Sequence, residues 1–60
     1  MCSIREKAGF YYRKIGSFRS AMRYFEQARI CYEEWGSRVK VEAMEREMSA
    51  MDVLNSRPEG

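Results

Sequence analysis

"KIGSFRSAMRYFEQARICYEEWGS", residues 14–37, sets one long apolar-periodic segment between two Gly-Ser pairs. Phe18, Ala21, Met22, Phe25, Ala28 and Tyr32 recur at three- and four-residue steps, the spacing of one helical face. Tyr24, Cys31 and Trp35 form a second stripe, roughly a third of a turn round. A helix apolar over this much of its circumference meets a neighbour on two sides. Glycine suits the left-handed position that closes a helix, and serine suits the cap that opens the next. Gly16-Ser17 and Gly36-Ser37 therefore bracket a helix over about Phe18–Trp35, with one helix before it and one after.

Upstream, "SIRE" has the form of a capping box, with Ser3 and Glu6 each positioned to satisfy the other's backbone N–H. Ile4, Ala8, Tyr11, Tyr12 and Ile15 then repeat at three- and four-residue steps, the spacing of one helical face. Downstream, Val41, Met44, Met48, Met51 and Leu54 mark a third helix, which Asn55, Ser56 and Pro58 should end. No alternating run predicts a strand. The fold class expected is all-α: an antiparallel helix hairpin over residues 1–35, a closing amphipathic helix over 36–55, and a flexible tail over 56–60. Together these make one domain.

Composition narrows the function classes. The chain has 60 residues, 45% of them hydrophobic, with eight aromatics. That is enough apolar surface to pack, yet a lone core of this length seldom supplies more than about 3–5 kcal/mol. The surplus aromatics thus predict association with something else. Residues 1–29 carry seven cations against two carboxylates, a net +5; residues 30–60 carry four against seven, a net −3. One end is basic and the other acidic, which favours head-to-tail contact.

Histidine is absent, and neither Cys2 nor Cys31 sits in a metal-ligating spacing, so no zinc site or other cofactor is expected. Cys31 reads as a reduced, partly buried helical thiol, with a disulfide within or between chains as the alternative. Without a glycine-rich phosphate loop, or a base at helical spacing from Cys31, the chain reads as non-enzymatic. No apolar run approaches a membrane span and no secretory segment is present, so a cytoplasmic protein is expected.

Ala8-Gly9, Tyr12, Gly16, Ala21, Phe25 and Ala28 stand at intervals that resemble a tetratricopeptide repeat, a 34-residue helix–turn–helix unit, over residues 2–35. In that family small residues let the paired helices approach closely, the places held here by Gly9 and Ala21, while Tyr12 and Phe25 fill the space around them. Arg5 replaces the family's tryptophan and Glu33 its helix-ending proline, as in a divergent or terminal unit. Tyr32, Trp35, Gly36, Lys40 and Val41 also look like the segment that closes a helical repeat array in large multidomain ATPase-type sensor kinases. No kinase or ATPase motif accompanies them.

The resemblance implies a protein–protein interaction module that stacks with neighbouring repeats or forms a homo-oligomer, within a signalling or scaffold protein. Its groove positions fall on Ser3, Glu6, Phe10, Arg13 and Lys14. Among these, Phe10, Arg13 and Lys14 suit an acidic peptide. Tyr24, Cys31, Trp35, Met44, Met48 and Met51 are the expected association surface, although the methionine stripe fits core packing against the second helix as well. A nucleic-acid-binding helical module is the alternative, since "YYRK" and "FRSAMRYFEQAR" interleave basic and aromatic residues. The acidic third helix and the core spacing of those aromatics weigh against it.

Overall fold

The computed structural model describes residues 2–55, and side chains as far as Val53. Three helices account for them: α1, Cys2–Lys14; α2, Phe18–Glu34; and α3, Arg38–Asn55. No strand occurs among the described residues. The expected tail over 56–60, with Ser56 and Pro58, and the Leu54 side chain at the end of the third-helix stripe lie outside the described residues.

The two turns between helices are copies of one device. Gly16 and Gly36 have φ of 86° and 73°, the left-handed region that costs glycine nothing. In the first turn Gly16 N–H donates to Arg13 O at 3.1 Å and Ser17 N–H to Tyr12 O at 2.8 Å. In the second, Gly36 N–H donates to Glu33 O at 3.0 Å and Ser37 N–H to Tyr32 O at 2.9 Å. This crossed pair is the Schellman arrangement, which satisfies carbonyls otherwise orphaned at a helix end. The underlying sequence recurs twenty residues apart, as Tyr12-x-x-Ile15-Gly16-Ser17 and Tyr32-x-x-Trp35-Gly36-Ser37. Ser17 precedes α2 as expected, but its side chain makes no capping hydrogen bond.

α2 packs against both α1 and α3. Ala21, Phe25 and Ala28 from α2 are fully buried together with Met44 and Met51 from α3, and Tyr12, Phe18, Met22, Tyr32, Ala43 and Met48 pack around them. The main stripe of α2 is thus engaged along its length.

One expectation for α1 is corrected. Ser3 lies inside α1, not at its cap, and Glu6 reaches Tyr32 and Lys40 instead of the Ser3 N–H. The α1 stripe divides: Ile4, Tyr11 and Ile15 face outward, 64%, 59% and 57% exposed, while Tyr12 packs against the core as expected. The face turned to α2 is centred on buried Gly9, with Tyr12 and Cys2 beside it. The reason is steric. A Cβ on Gly9 would stand 2.9 Å from two carbons of the Phe25 ring, so the bare backbone of Gly9 is what admits that ring.

This contact makes a prediction with two opposing terms. Alanine is favoured over glycine inside a helix by about 1 kcal/mol. Overpacking a tight core costs about 1–3 kcal/mol, and the Phe25 ring has no solvent to retreat into. Gly9→Ala should therefore lower stability by about 1 kcal/mol in urea unfolding. A gain would mean that α1 stands further from α2 than described here.

Candidate association surface

The residues expected to form the association surface divide three ways. Met44 and Met51 are corrected to core, each 1% exposed, because the α3 stripe turns onto α2 around Phe25. Met48 packs partly buried against the same cluster. Tyr24 stacks on Tyr12, ring centroids 5.3 Å apart and planes within 7°, so it serves the α1–α2 contact. Cys31 does the same covalently: it is disulfide-bonded to Cys2, which corrects the expectation of a reduced thiol. Only Trp35, at the end of α2, remains open, at 80% exposure.

The disulfide was legible in one respect. An antiparallel hairpin pairs residues equidistant from its turn, and Cys2 and Cys31 are symmetric about Gly16-Ser17. Their Cα atoms lie 5.5 Å apart, within bridging distance.

The expected groove trio is also partly committed. Phe10 is 38% exposed and meets Phe25 edge-on at 5.0 Å between centroids. Arg13 sits 5.5 Å from the centre of the Phe10 ring and is ion-paired to Glu47 on α3. Lys14, exposed, has no ion-pair partner among the described residues.

A polar hub lies at the opposite end of α1. Tyr32 Oη donates to Glu6 Oε1 at 2.7 Å, and Lys40 Nζ stands 3.6 Å from the same oxygen. Lys40 also lies 5.7 Å from the centre of the Tyr32 ring. The hub joins all three helices. The Tyr32 hydroxyl is pushed up to about 12, chiefly by the hydrogen bond to Glu6, then by burial, then by the carboxylate's negative charge.

The two α1–α3 ion pairs share one register. Glu6 meets Lys40 and Arg13 meets Glu47, and each partner lies 34 positions further along the chain. Both sides advance by seven residues, or two helical turns, so α1 and α3 run parallel with α2 packed against both. Sequence reading missed this register because ion pairs between helices have no periodic signal of their own.

Other surface features are plain. An open depression of about 380 Å³ beside the second turn is lined by Glu33, Arg38, Val41, Glu42 and Glu45 among others. Among the described residues no group of three or more His, Cys, Asp or Glu is placed to hold a metal ion, and no helix is long and apolar enough to cross a membrane. Compared with protein-family models, curated proteins and solved structures, the chain gave no match.

Two outcomes follow from these contacts. The disulfide closes a loop with a sequence separation of 29, for which chain-entropy reasoning gives about 3–4 kcal/mol. Reduction, or Cys31→Ser, should lower unfolding stability by about that amount. The Tyr32 pKa is higher folded than unfolded, so its stabilising proton is fully present below about pH 10. That stability is lost as pH rises through about 12. The stability difference between the wild type and Tyr32→Phe should therefore shrink across that alkaline window; a pH-independent difference would contradict the hydrogen bond.

Proposed function

We propose that this chain is a non-catalytic protein–protein interaction module: a tetratricopeptide-like helix pair whose third helix takes the place of a next repeat's first helix. The observation that carries this reading is the 34-residue register between α1 and α3. Thirty-four residues is the period of that repeat, so residue i beside residue i+34 is the relation expected of successive first helices. The Gly9–Phe25 contact supports the same reading, since it occupies the positions where the family pairs a small residue with an aromatic. Repeat units of this kind leave an edge uncovered, and neighbours complete the core. Membership of a signalling or scaffold assembly is the setting that fits such a unit.

Nucleic-acid binding is less well supported. Phe25 is buried, Tyr24 is stacked on Tyr12, and Arg13 and Arg29 are paired with Glu47 and Glu33. Tyr11, Lys14, Arg19 and Arg23 stay exposed, but most of the aromatics that would stack on bases are taken up by packing within the helices.

Coupling to a neighbour tests the function. A consensus helix pair of the same repeat, fused ahead of α1, should unfold with this chain in a single transition. If the shared edge contributes about 2 kcal/mol, the thermal midpoint should rise by roughly 10 °C over the isolated chain. Two independent transitions, with the midpoint of this chain unmoved, would refute a stacking role.

A further inference from the structure

We infer that the outer edge of α1 is a docking face for an amphipathic helix of another polypeptide, one whose apolar stripe is bordered by carboxylates. The inference rests on the association reading above and names the edge and the partner's chemistry.

Ile4, Tyr11 and Ile15 are large, apolar and more than half exposed. At 100° per residue they fall within roughly 40° of one another, and roughly half a turn from Glu6 and Arg13, which face α3. The stripe therefore points away from the rest of the bundle. Single exposed apolar residues are ordinary, but three aligned along α1 and the turn that closes it form a surface.

The frame around this stripe has one sign. Lys7 and Lys14 border it on one side and Arg5 on the other, all three exposed. The only carboxylate of α1, Glu6, is held on the far side by Tyr32 and Lys40. A partner helix with acidic flanks is thus complementary, and one with basic flanks is repelled.

The opposite edge of the molecule is built differently. Arg38, Glu42, Glu45, Ser49 and Asp52 are all exposed and lie on α3 roughly half a turn from Lys40 and Glu47, which face α1. That edge carries three carboxylates against one guanidinium and is net negative, with the exposed Val53 at its border and Val39 further round. It also argues against a second copy as the occupant. Pairing α1 with α1 would set lysines against lysines with no carboxylate between them. Pairing α1 with the α3 edge would lay three large apolar side chains on glutamates.

The test is fluorescence anisotropy of the intact, oxidised chain with two labelled synthetic peptides. Both are amphipathic helices with a leucine stripe; one has glutamate flanks and its twin has lysine flanks. The glutamate peptide should bind, more weakly as salt rises, and the lysine twin should bind at least about tenfold more weakly. Ile4→Ser with Ile15→Ser should cost about tenfold or more with circular dichroism unchanged, whereas Glu45→Lys should leave binding as it was. Equal binding of the two peptides, or no binding of the glutamate peptide, overturns the inference. So does self-association by sedimentation that the Ile4→Ser, Ile15→Ser variant abolishes, because the occupant is then a second copy. Binding lost with Trp35→Ala but untouched at Ile4 and Ile15 overturns this face while leaving an association role intact.

Discussion

The close approach of α1 to α2 at Gly9 and Phe25 is the constraint on which the rest of this small structure depends. A side chain at position 9 would meet the Phe25 ring at 2.9 Å, so the ring enters a notch that only glycine provides. Phe25 is fully buried and shares its cluster with Ala28 beside it and with Met44 and Met51 of α3. One aromatic side chain therefore touches the packing of all three helices. With α1 and α3 both anchored on α2, the distance between them is short enough for Glu6–Lys40 and Arg13–Glu47 to form. Those exposed or half-exposed pairs contribute little stability of their own; they mark the register that core packing has already set.

The same constraint explains what the sequence showed and what it concealed. The Gly-Ser breaks and the α2 stripe were legible because turn chemistry and helical periodicity are local signals. Buried Ala21, Phe25 and Ala28 lie on the stripe read from spacing alone. The stripe on α1 was equally periodic, yet Ile4, Tyr11 and Ile15 point to solvent, because a hydrophobicity pattern gives glycine no weight as a contact residue. Periodicity identified a real apolar face on α1 but not which face meets α2; the repeat-like spacing of Gly9 and Tyr12 was the signal that pointed to it. For Met44 and Met51, spacing alone left core and partner surface open, and their burial against Phe25 decides it. The disulfide was hidden by reading the cysteines for motif spacing, when their symmetry about the Gly16 turn carried the information.

A 60-residue chain has little core to spare, and the two ends of the hairpin show how that shortage is met. At one end the turn is locked by crossed backbone hydrogen bonds. At the other, the Cys2–Cys31 bridge and the Glu6–Tyr32–Lys40 hub hold three helix ends together. Large apolar side chains stay exposed on all three helices, Ile30 on α2 and Val39 and Val53 on α3 among them, but those on α1 align within a frame of cations, while the outer edge of α3 is net negative. This asymmetry between edges, rather than the total of exposed apolar area, is what gives the proposed association a direction.

The measurement that bears most directly on this account is the α1–α3 register in solution, read from nuclear Overhauser effects in the oxidised chain. The account predicts side-chain contacts between Glu6 and Lys40 and between Arg13 and Glu47, both at a separation of 34 residues. Contacts at another register, or an α3 that gives none to α1, would contradict it and remove the ground for reading α3 as a next repeat's first helix.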